Sequence, residues 1–206
     1  MKELFLTLQG EGAQAGRRAV FVRFAGCNLW SGREADRATA ACRFCDTDFV
    51  GMDGPGGGRF ADAAALATAV DAIWGAGPEG RYVVLTGGEP MLQVDGALIA
   101  ALHARGFAVA MESNGTLPAA AGLDWVCISP KAGNALAQRA GDELKLVWPQ
   151  EGIDLDELEA LPFTHHLIQP MDCADRTAAR DAAIALVMAR PRWRLTVQAH
   201  KLLGLP

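Results

Sequence analysis

The chain has 206 residues, enough for one domain with a substantial core, which we place over residues 1–206. Its formal net charge is −5 and it has no basic stripe, so a nucleic-acid partner is not expected. No apolar run approaches the roughly 20 residues that span a bilayer. The first residues, MKELFLTLQGEG, reach acid and glycine too early for a signal peptide. We therefore expect a cytoplasmic protein with no membrane partner.

Seven apolar runs along the chain are typical of β-strands, and several are apolar throughout, as expected for strands covered on both faces. These runs span residues 19–26, 81–87, 107–113, 123–129, 142–148, 165–170 and 192–198. Alanine- and leucine-rich segments between them, at 61–74, 93–105 and 174–189, have the apolar spacing of helices. Alternating strands and helices predict an α/β fold with a parallel sheet, either open or closed into a barrel.

Three connecting segments are poor helix candidates because they contain prolines and glycines. They are residues 114–122, 130–141 and 149–163. The sequence therefore predicts that some helices of the α/β fold are short or missing.

Three of the five cysteines lie close together: Cys27, then the C-x-x-C pair Cys42 and Cys45. In a reducing cytoplasm such a group indicates metal binding or catalysis rather than disulfides. A structural zinc site needs four protein ligands, but Cys127 and Cys173 are typical of small buried side chains. A redox dithiol would leave Cys27 unexplained. A four-iron cluster held by three thiolates, with one iron open, fits the three cysteines better.

Polar residues gather where the predicted strands end. The first strand ends at Cys27, and TGGEP, ESNG, SPK and QPMD follow the second, third, fourth and sixth strands. Ligands of parallel α/β folds bind at the carboxyl ends of the strands. The sequence therefore predicts that these clusters form one site.

Three cysteines after the first strand and TGGEP after the second resemble the radical S-adenosylmethionine superfamily. Most members carry C-x-x-x-C-x-x-C, whereas this chain has C-x14-C-x-x-C. With LQGEG before the cysteines, CDT overlapping the last one and QAHK near the end, nearly the whole chain resembles the 7-carboxy-7-deazaguanine synthase family.

The resemblance implies a modified partial (β/α)6 TIM-like barrel, with some helices shortened or missing and the cluster loop after the first predicted strand. It implies a [4Fe-4S] cluster, S-adenosyl-L-methionine, Mg²⁺, a homodimer and an electron donor such as flavodoxin. The implied reaction contracts 6-carboxy-5,6,7,8-tetrahydropterin, a small-molecule pterin substrate, to 7-carboxy-7-deazaguanine with loss of ammonia, on the route to queuosine and related deazapurines.

The cluster and cofactor residues follow from these motifs. The resemblance makes Cys27, Cys42 and Cys45 the catalytic cluster ligands, and Phe44 would cover the cluster. The expected S-adenosylmethionine contacts are Phe44, Gly87, Gly88, Glu89, Ser113, Asn114, Ser129, Lys131, Gln169 and Asp172. Glycines let the backbone approach a ligand closely, and the glutamate of TGGEP is expected at the cofactor's amino group. The residue types at the third, fourth and sixth strand ends are also common in solvated turns, so these residues could instead be ordinary turn residues without a ligand.

A second group of residues is expected at the substrate. Arg23 lies inside an apolar strand, where a guanidinium needs an anion: either the substrate carboxylate or an internal acid. The amide of Gln9 and the carboxylate of Glu11 match the donor–acceptor edge of an aminopyrimidinone. The full expected set is Gln9, Glu11, Gly12, Arg23, Glu112, His200 and Pro206, the last through its terminal carboxylate.

Thr47 offers a hydroxyl, a hard oxygen ligand that Mg²⁺ accepts together with waters and substrate oxygens, and the resemblance implies this role. The stretch between Cys27 and Cys42 is an insertion, with a helical turn expected around residues 34–41. Two other functions stay open: a glycyl-radical-enzyme activase, and a non-catalytic zinc-stabilised binding module.

Overall fold

The computed structural model describes the whole chain, Met1–Pro206, and its centre is one eight-stranded sheet in the order β1-β2-β3-β4-β5-β6-β7-β8. The strands are β1 Glu3–Leu8, β2 Arg18–Phe24, β3 Tyr82–Gly87, β4 Ala108–Ser113, β5 Trp125–Ile128, β6 Gly141–Trp148, β7 Phe163–Pro170 and β8 Arg194–Leu195. β1 is antiparallel to β2, and every later neighbouring pair is parallel. Parallel strands that follow one another in chain order form the arrangement of a partial TIM-like barrel. The expected α/β class is confirmed.

The helices lie mostly on the outer face of this sheet. They are α1 Ala63–Trp74, α2 Gly96–His103, α3 Leu155–Glu159, α4 Arg176–Ala189 and α5 Ala199–Leu203. Asp62 and Asp95 begin α1 and α2, each by accepting a hydrogen bond from a backbone N–H of the first turn. None of the helices combines the length and apolarity that crossing a membrane requires.

The predicted elements and the observed ones agree closely, with two omissions. Each of the seven predicted strand segments contains a strand, and the three proline- and glycine-rich connections hold only the five-residue helix α3. The edge strand β1 and the short helix α5 were not predicted. The predicted turn in the insertion is a 3₁₀ helix over Glu34–Thr39.

The two faces of the sheet differ in chemistry because alternate strand residues point to opposite sides. The outer face carries residues such as Val20, Val22 and Leu85, which pack against α1 and α2 in a core of 16 buried residues. On the inner face, Ala19, Tyr82, Val84 and Ala110 form a small buried cluster, and polar residues lie near the carboxyl ends of the strands. The expectation that β2 is buried on both faces is therefore wrong: Phe21 and Arg23 are only half-buried, because the inner face opens into a cavity.

Candidate active site

A cavity of about 320 Å³ lies at the carboxyl ends of the parallel strands, a size typical of small-molecule sites. The predicted site residues that line it are Gln9, Glu11, Arg23, Cys27, Cys42, Phe44, Cys45, Thr47, Gly87, Gly88, Glu112, Ser113, Asn114, Ser129, Lys131, Gln169, Asp172, His200 and Pro206. Only Gly12 and Glu89 of the predicted set lie outside the lining. The strand ends thus bring one group of side chains together, as the sequence predicts.

The three cysteines that line the cavity are free thiols in the loop after β2. Cys42 N–H donates to the carbonyl of Leu29, and Leu29 N–H donates to Cys27 Sγ at 3.4 Å, so the two ends of the insertion meet. Burial raises the pKa of the Cys42 and Cys45 thiols. No three His, Cys, Asp or Glu side chains converge closely enough to hold a single metal ion. Thiols spread around a cavity suit a cluster, in which each sulfur binds a different iron.

The insertion between Cys27 and Cys42 is folded, and its Arg37 supports the backbone of the C-x-x-C segment. Arg37 Nη1 donates to the carbonyl oxygens of Arg43 at 2.9 Å and of Cys45 at 3.1 Å, while its Nε pairs with Glu34. Its guanidinium lies 4.1 Å from the centroid of the Trp30 ring, which is buried. Arg37 therefore holds the backbone of C-x-x-C at its second and fourth residues.

The side chain of Glu89 lies behind the cavity wall, and its contact with the cofactor stays a prediction. Its side chain is fully buried, at 0% exposure, and does not line the cavity. The carboxylate accepts hydrogen bonds from Ser113 Oγ (2.8 Å), Asn114 N–H (2.9 Å) and Met91 N–H (3.0 Å). The acid of TGGEP thus ties the end of β3 to the end of β4, because the buried donors at these two chain turns need an acceptor.

The glycines of TGGEP do line the cavity, and close approach explains them. Gly87 has a φ of +125°, and a Cβ on it would collide with the backbone of Phe24. A Cβ on Gly88 would collide with the carbonyl of Gly26, just before Cys27. Only glycine lets this turn lie against the start of the cysteine loop.

Gly12 is likewise needed for loop geometry rather than for cavity contact. Its φ is +72°, and a Cβ there would collide with the carboxylate of Glu143. Its N–H donates to Thr196 Oγ1 at 2.9 Å, and the next residue, Ala13, donates its N–H to Glu143. The LQGEG loop is therefore held down on β6 and on the segment after β8.

Arg23 faces the cavity and is paired with an internal acid, Glu3, one of the two anions that the sequence left open. Arg23 Nε lies 2.6 Å from Glu3 Oε1, and the two side chains are 21% and 22% exposed. Both residues line the cavity, and the terminal nitrogens of the guanidinium make no hydrogen bond within the chain. Arg23 is therefore oriented by Glu3 and keeps donors for a ligand anion.

The floor of the cavity is a network of opposite charges that the sequence analysis missed. Lys145 Nζ lies 2.5 Å from Glu11 Oε2 and 3.4 Å from Glu112 Oε2. Burial alone would lower the pKa of Lys145, but the carboxylates of Glu11 and Glu112 raise it well above its ordinary value. Burial would likewise raise the pKa of Glu11, yet Lys145 lowers it. Both groups are therefore charged at neutral pH.

The C-terminal segment closes the cavity from the side. Ala199 N–H donates to the carbonyl of Gly10 at 2.8 Å, and His200 packs directly on Gly10. Lys201 Nζ bridges Asp46 and Asp172, at 2.5 Å from each. Asp172, predicted at the cofactor, is thus an anchor of this segment as well as part of the lining.

Several predicted cofactor residues keep polar atoms for a ligand. Lys131 Nζ donates to Ser129 Oγ at 2.7 Å and lies 5.9 Å from the centroid of the Phe44 ring. Burial lowers the pKa of Lys131. Gln169 Oε1 is buried without a hydrogen-bond partner, which is costly unless a ligand supplies a donor. Thr47 lines the cavity, and its hydroxyl makes no hydrogen bond within the chain.

Comparison with known proteins decides the family. The model of the radical SAM superfamily matches residues 36–144. The 7-carboxy-7-deazaguanine synthase of Caulobacter vibrioides is 61% identical over 206 residues, which cover 100% of this chain and 98% of that protein. The chain belongs to the 7-carboxy-7-deazaguanine synthase family.

A second relative and a solved structure agree with the assignment. The 7-carboxy-7-deazaguanine synthase of Bordetella pertussis is 59% identical over 206 residues, covering 100% of this chain and 98% of its own. The crystal structure of QueE from Escherichia coli superposes with a TM-score of 0.68 at 25% identity, over 97% of this chain and 93% of that one. The expected partial TIM-like barrel is confirmed.

The radical SAM superfamily implies a [4Fe-4S] cluster and S-adenosylmethionine as cofactors. The residues of this family member fit both: three free thiols line one cavity, and Gln169 Oε1 lies in the same lining without a partner. The superfamily match begins at residue 36, after Cys27 and before Cys42.

The residues missed by sequence reasoning had a recognisable pattern. In DELKLVW, Glu143 and Lys145 alternate with apolar residues in a strand expected to be buried, which is typical of paired charges on one face. For Asp46 and Lys201 no local pattern exists, because their pairing depends on where the C-terminal segment folds back.

Proposed function

We propose that this chain converts 6-carboxy-5,6,7,8-tetrahydropterin to 7-carboxy-7-deazaguanine and ammonia as a radical S-adenosylmethionine enzyme of queuosine and 7-deazapurine biosynthesis. A relative named for this reaction is 61% identical to the chain over its whole length. The observation that carries the proposal is a single cavity that holds three free thiols, a half-buried guanidinium and a network of carboxylates. The product and ammonia together contain all atoms of the substrate, so the net conversion needs no oxidant or reductant.

The substrate end of the cavity has groups that complement such a pterin. Arg23, oriented by Glu3, offers its free terminal nitrogens to the substrate carboxylate. Gln9, Glu11 and Glu112 offer carboxylate oxygens and an amide to the ring edge, which presents N–H donors and a carbonyl. His200 and Pro206 close the cavity at the C-terminal segment, where the imidazole and the terminal carboxylate supply further polar contacts.

The cofactor end has the thiols and the strand-end residues. When bound, the cluster and S-adenosylmethionine supply the hydrogen-abstracting radical chemistry of the superfamily. Cys27, Cys42 and Cys45 would hold the cluster, and Phe44 would shield it from water. Gly87 and Gly88 would admit the methionine moiety, with Glu89 acting from behind as the brace. Polar contacts would come from Ser113, Asn114, Ser129, Lys131, Gln169 and Asp172.

Thr47 is the magnesium ligand of the proposal. It follows Cys45 by two residues, lines the cavity and has a free hydroxyl. Mg²⁺ takes few protein oxygens and completes its shell with water and substrate oxygens, so the substrate carboxylate and waters would supply the remaining ligands. An electron donor such as flavodoxin, a homodimer, a single domain over 1–206 and a cytoplasmic location complete the proposal, on the resemblance to the family.

Anaerobic reconstitution and a conversion assay test the proposal. Cluster-loaded protein, reduced in the presence of S-adenosylmethionine, Mg²⁺ and the pterin, is expected to form the deazaguanine, measured by liquid chromatography with mass spectrometry.

Arg23→Ala should retain iron and sulfide near four each per chain and lose turnover. Arg81→Met is the matched control, since Arg81 pairs with Asp71 away from the cavity. Unchanged kinetics in Arg23→Ala would refute the assigned role, and a colourless protein holding one zinc would refute the function.

A further inference from the structure

Lys145 is a buried cation that none of the roles above uses. It lies in β6 on the inner face of the sheet, its side chain is 4% exposed, and it lines the cavity. A charge removed from water is tolerated only with partners of opposite sign. The partners of Lys145 therefore indicate what it does.

The two partners come from different elements of the fold. Glu11 lies in the loop between β1 and β2, whereas Glu112 lies near the end of β4. Both meet the ammonium through their Oε2 atoms, at 2.5 Å and 3.4 Å. Lys145 is thus the common point that fixes these two carboxylates relative to each other.

The second oxygen of each carboxylate is fixed as well. Glu112 Oε1 accepts from Gln9 Nε2 at 2.8 Å, and Glu11 Oε1 accepts from Gln198 Nε2 at 2.9 Å. Each carboxylate is thereby held at both oxygens, yet each oxygen can accept a further hydrogen bond. The result is a rigid pair of acceptors at the cavity floor.

We propose that Lys145 is a positioning residue that holds Glu11 and Glu112 against the N–H donors of the substrate ring. The inference rests on the proposed function, which supplies a ring with several N–H donors on one edge. Lys145 acts through the two acids: it balances one of their two negative charges and sets their separation. Without it, two half-buried carboxylates would face each other, and one of them would take up a proton, which turns one of its acceptor oxygens into a donor.

Other ionisable groups also face this network. They are Glu143 on β6, Cys127 on β5, Tyr82 on β3, His200 on α5 and Lys131 in the loop after β5. Glu143, which lies on the same strand as Lys145, accepts a hydrogen bond from Ala13 N–H at 2.9 Å. None of these groups supplies a cation in contact with Glu11 and Glu112, so removing Lys145 leaves the acids without one.

The test is equilibrium binding of 6-carboxy-5,6,7,8-tetrahydropterin to cluster-loaded protein with S-adenosylmethionine and without reductant, from pH 6 to pH 9. Lys145→Met should bind the pterin at least about tenfold more weakly at pH 7, since truncating one member of a buried charge pair has this effect or more. The ratio of its affinity to that of the wild type should rise with pH, as the carboxylates lose the extra proton. Arg81→Met, which removes a cation paired outside the cavity, should match the wild type at every pH.

A second variant keeps the test open should Lys145→Met not accumulate as folded protein. The double variant Glu11→Gln with Lys145→Met removes the cation together with one of the two carboxylates, so no facing pair is left and the ratio of its affinity to that of the wild type should not change with pH. A ratio that rises with pH would overturn the inference. An affinity of Lys145→Met within about twofold of the wild type, or a loss of equal size at every pH, would overturn the inference. A wild-type enzyme that binds no pterin would instead refute the proposed function, and the inference with it.

Discussion

Replacement of Glu89 separates a structural brace from a cofactor contact, the two roles that the TGGEP motif can have. The carboxylate is fully buried and accepts three hydrogen bonds, from Ser113, Asn114 and Met91. In Glu89→Ala the hydroxyl of Ser113 can turn to another acceptor, but the buried N–H of Asn114 and the partly buried N–H of Met91 lose theirs. At about 1–3 kcal/mol for each unsatisfied group, the free energy of unfolding should fall by about 2–6 kcal/mol.

Thermal unfolding of the cluster-loaded protein measures this loss. At about 2–4 °C per kcal/mol for a chain of this size, the midpoint should fall by roughly 4–24 °C without any added ligand. Asp95→Ala is a suitable control, because it removes an N-cap of α2 outside the cavity and should cost about 1 kcal/mol. A ligand contact would behave differently: only the extra stability conferred by S-adenosylmethionine would disappear. A Glu89→Ala protein whose ligand-free midpoint equals that of the wild type would refute the reasoning.

Three further substitutions test the cysteine loop, the C-terminal segment and the magnesium ligand. Arg37→Ala should lower the iron bound per chain after anaerobic reconstitution, because the carbonyls of Arg43 and Cys45 lose their donor, whereas Arg33→Ala should not; equal iron in both variants would contradict this role of Arg37. Lys201→Ala should lower the thermal midpoint between about pH 4 and pH 10.5. Burial raises the pKa of Asp46, but hydrogen bonds from Lys201 and Gln198 hold it below its ordinary value, and the same lysine lowers the pKa of Asp172. The pair therefore stabilises the protein above the ordinary carboxyl pKa and loses this effect in acid as the carboxylates protonate; a difference from the wild type that persists below pH 3 would count against it. Thr47→Ala should reduce the stimulation of turnover by Mg²⁺, and Thr47→Ser should retain it; the same magnesium dependence in all three proteins would remove Thr47 as the ligand.

The parallel part of the fold was predictable because its strands are continuous apolar runs separated by helix-patterned or proline-rich segments. Once the strands are known, parallel topology brings their carboxyl ends to one edge, and this alone gathers most of the predicted site. The edge strand β1 was less visible: in ELFLTL the apolar residues do not alternate cleanly with polar ones, since both Phe5 and the leucines are apolar. Its role is nonetheless central, because Glu3 orients Arg23.

Contacts between distant parts of the chain could not be predicted from local patterns. Lys145 pairs with Glu11 across 134 residues, and Lys201 with Asp46 across 155. Such pairs depend on the register of β6 and on where α5 returns. Glu89 is a similar case. The TGGEP motif identifies the residue, but not the groups that donate hydrogen bonds to its carboxylate. Cys173 was expected to be buried and is exposed, because it lies in the loop before α4.

The conversion itself is the most direct test of the account. Cluster-loaded, reduced protein with S-adenosylmethionine and Mg²⁺ should consume 6-carboxy-5,6,7,8-tetrahydropterin and release 7-carboxy-7-deazaguanine and ammonia in equal molar amounts. Consumption of S-adenosylmethionine without either product, by protein with a full complement of iron and sulfide, would contradict the account.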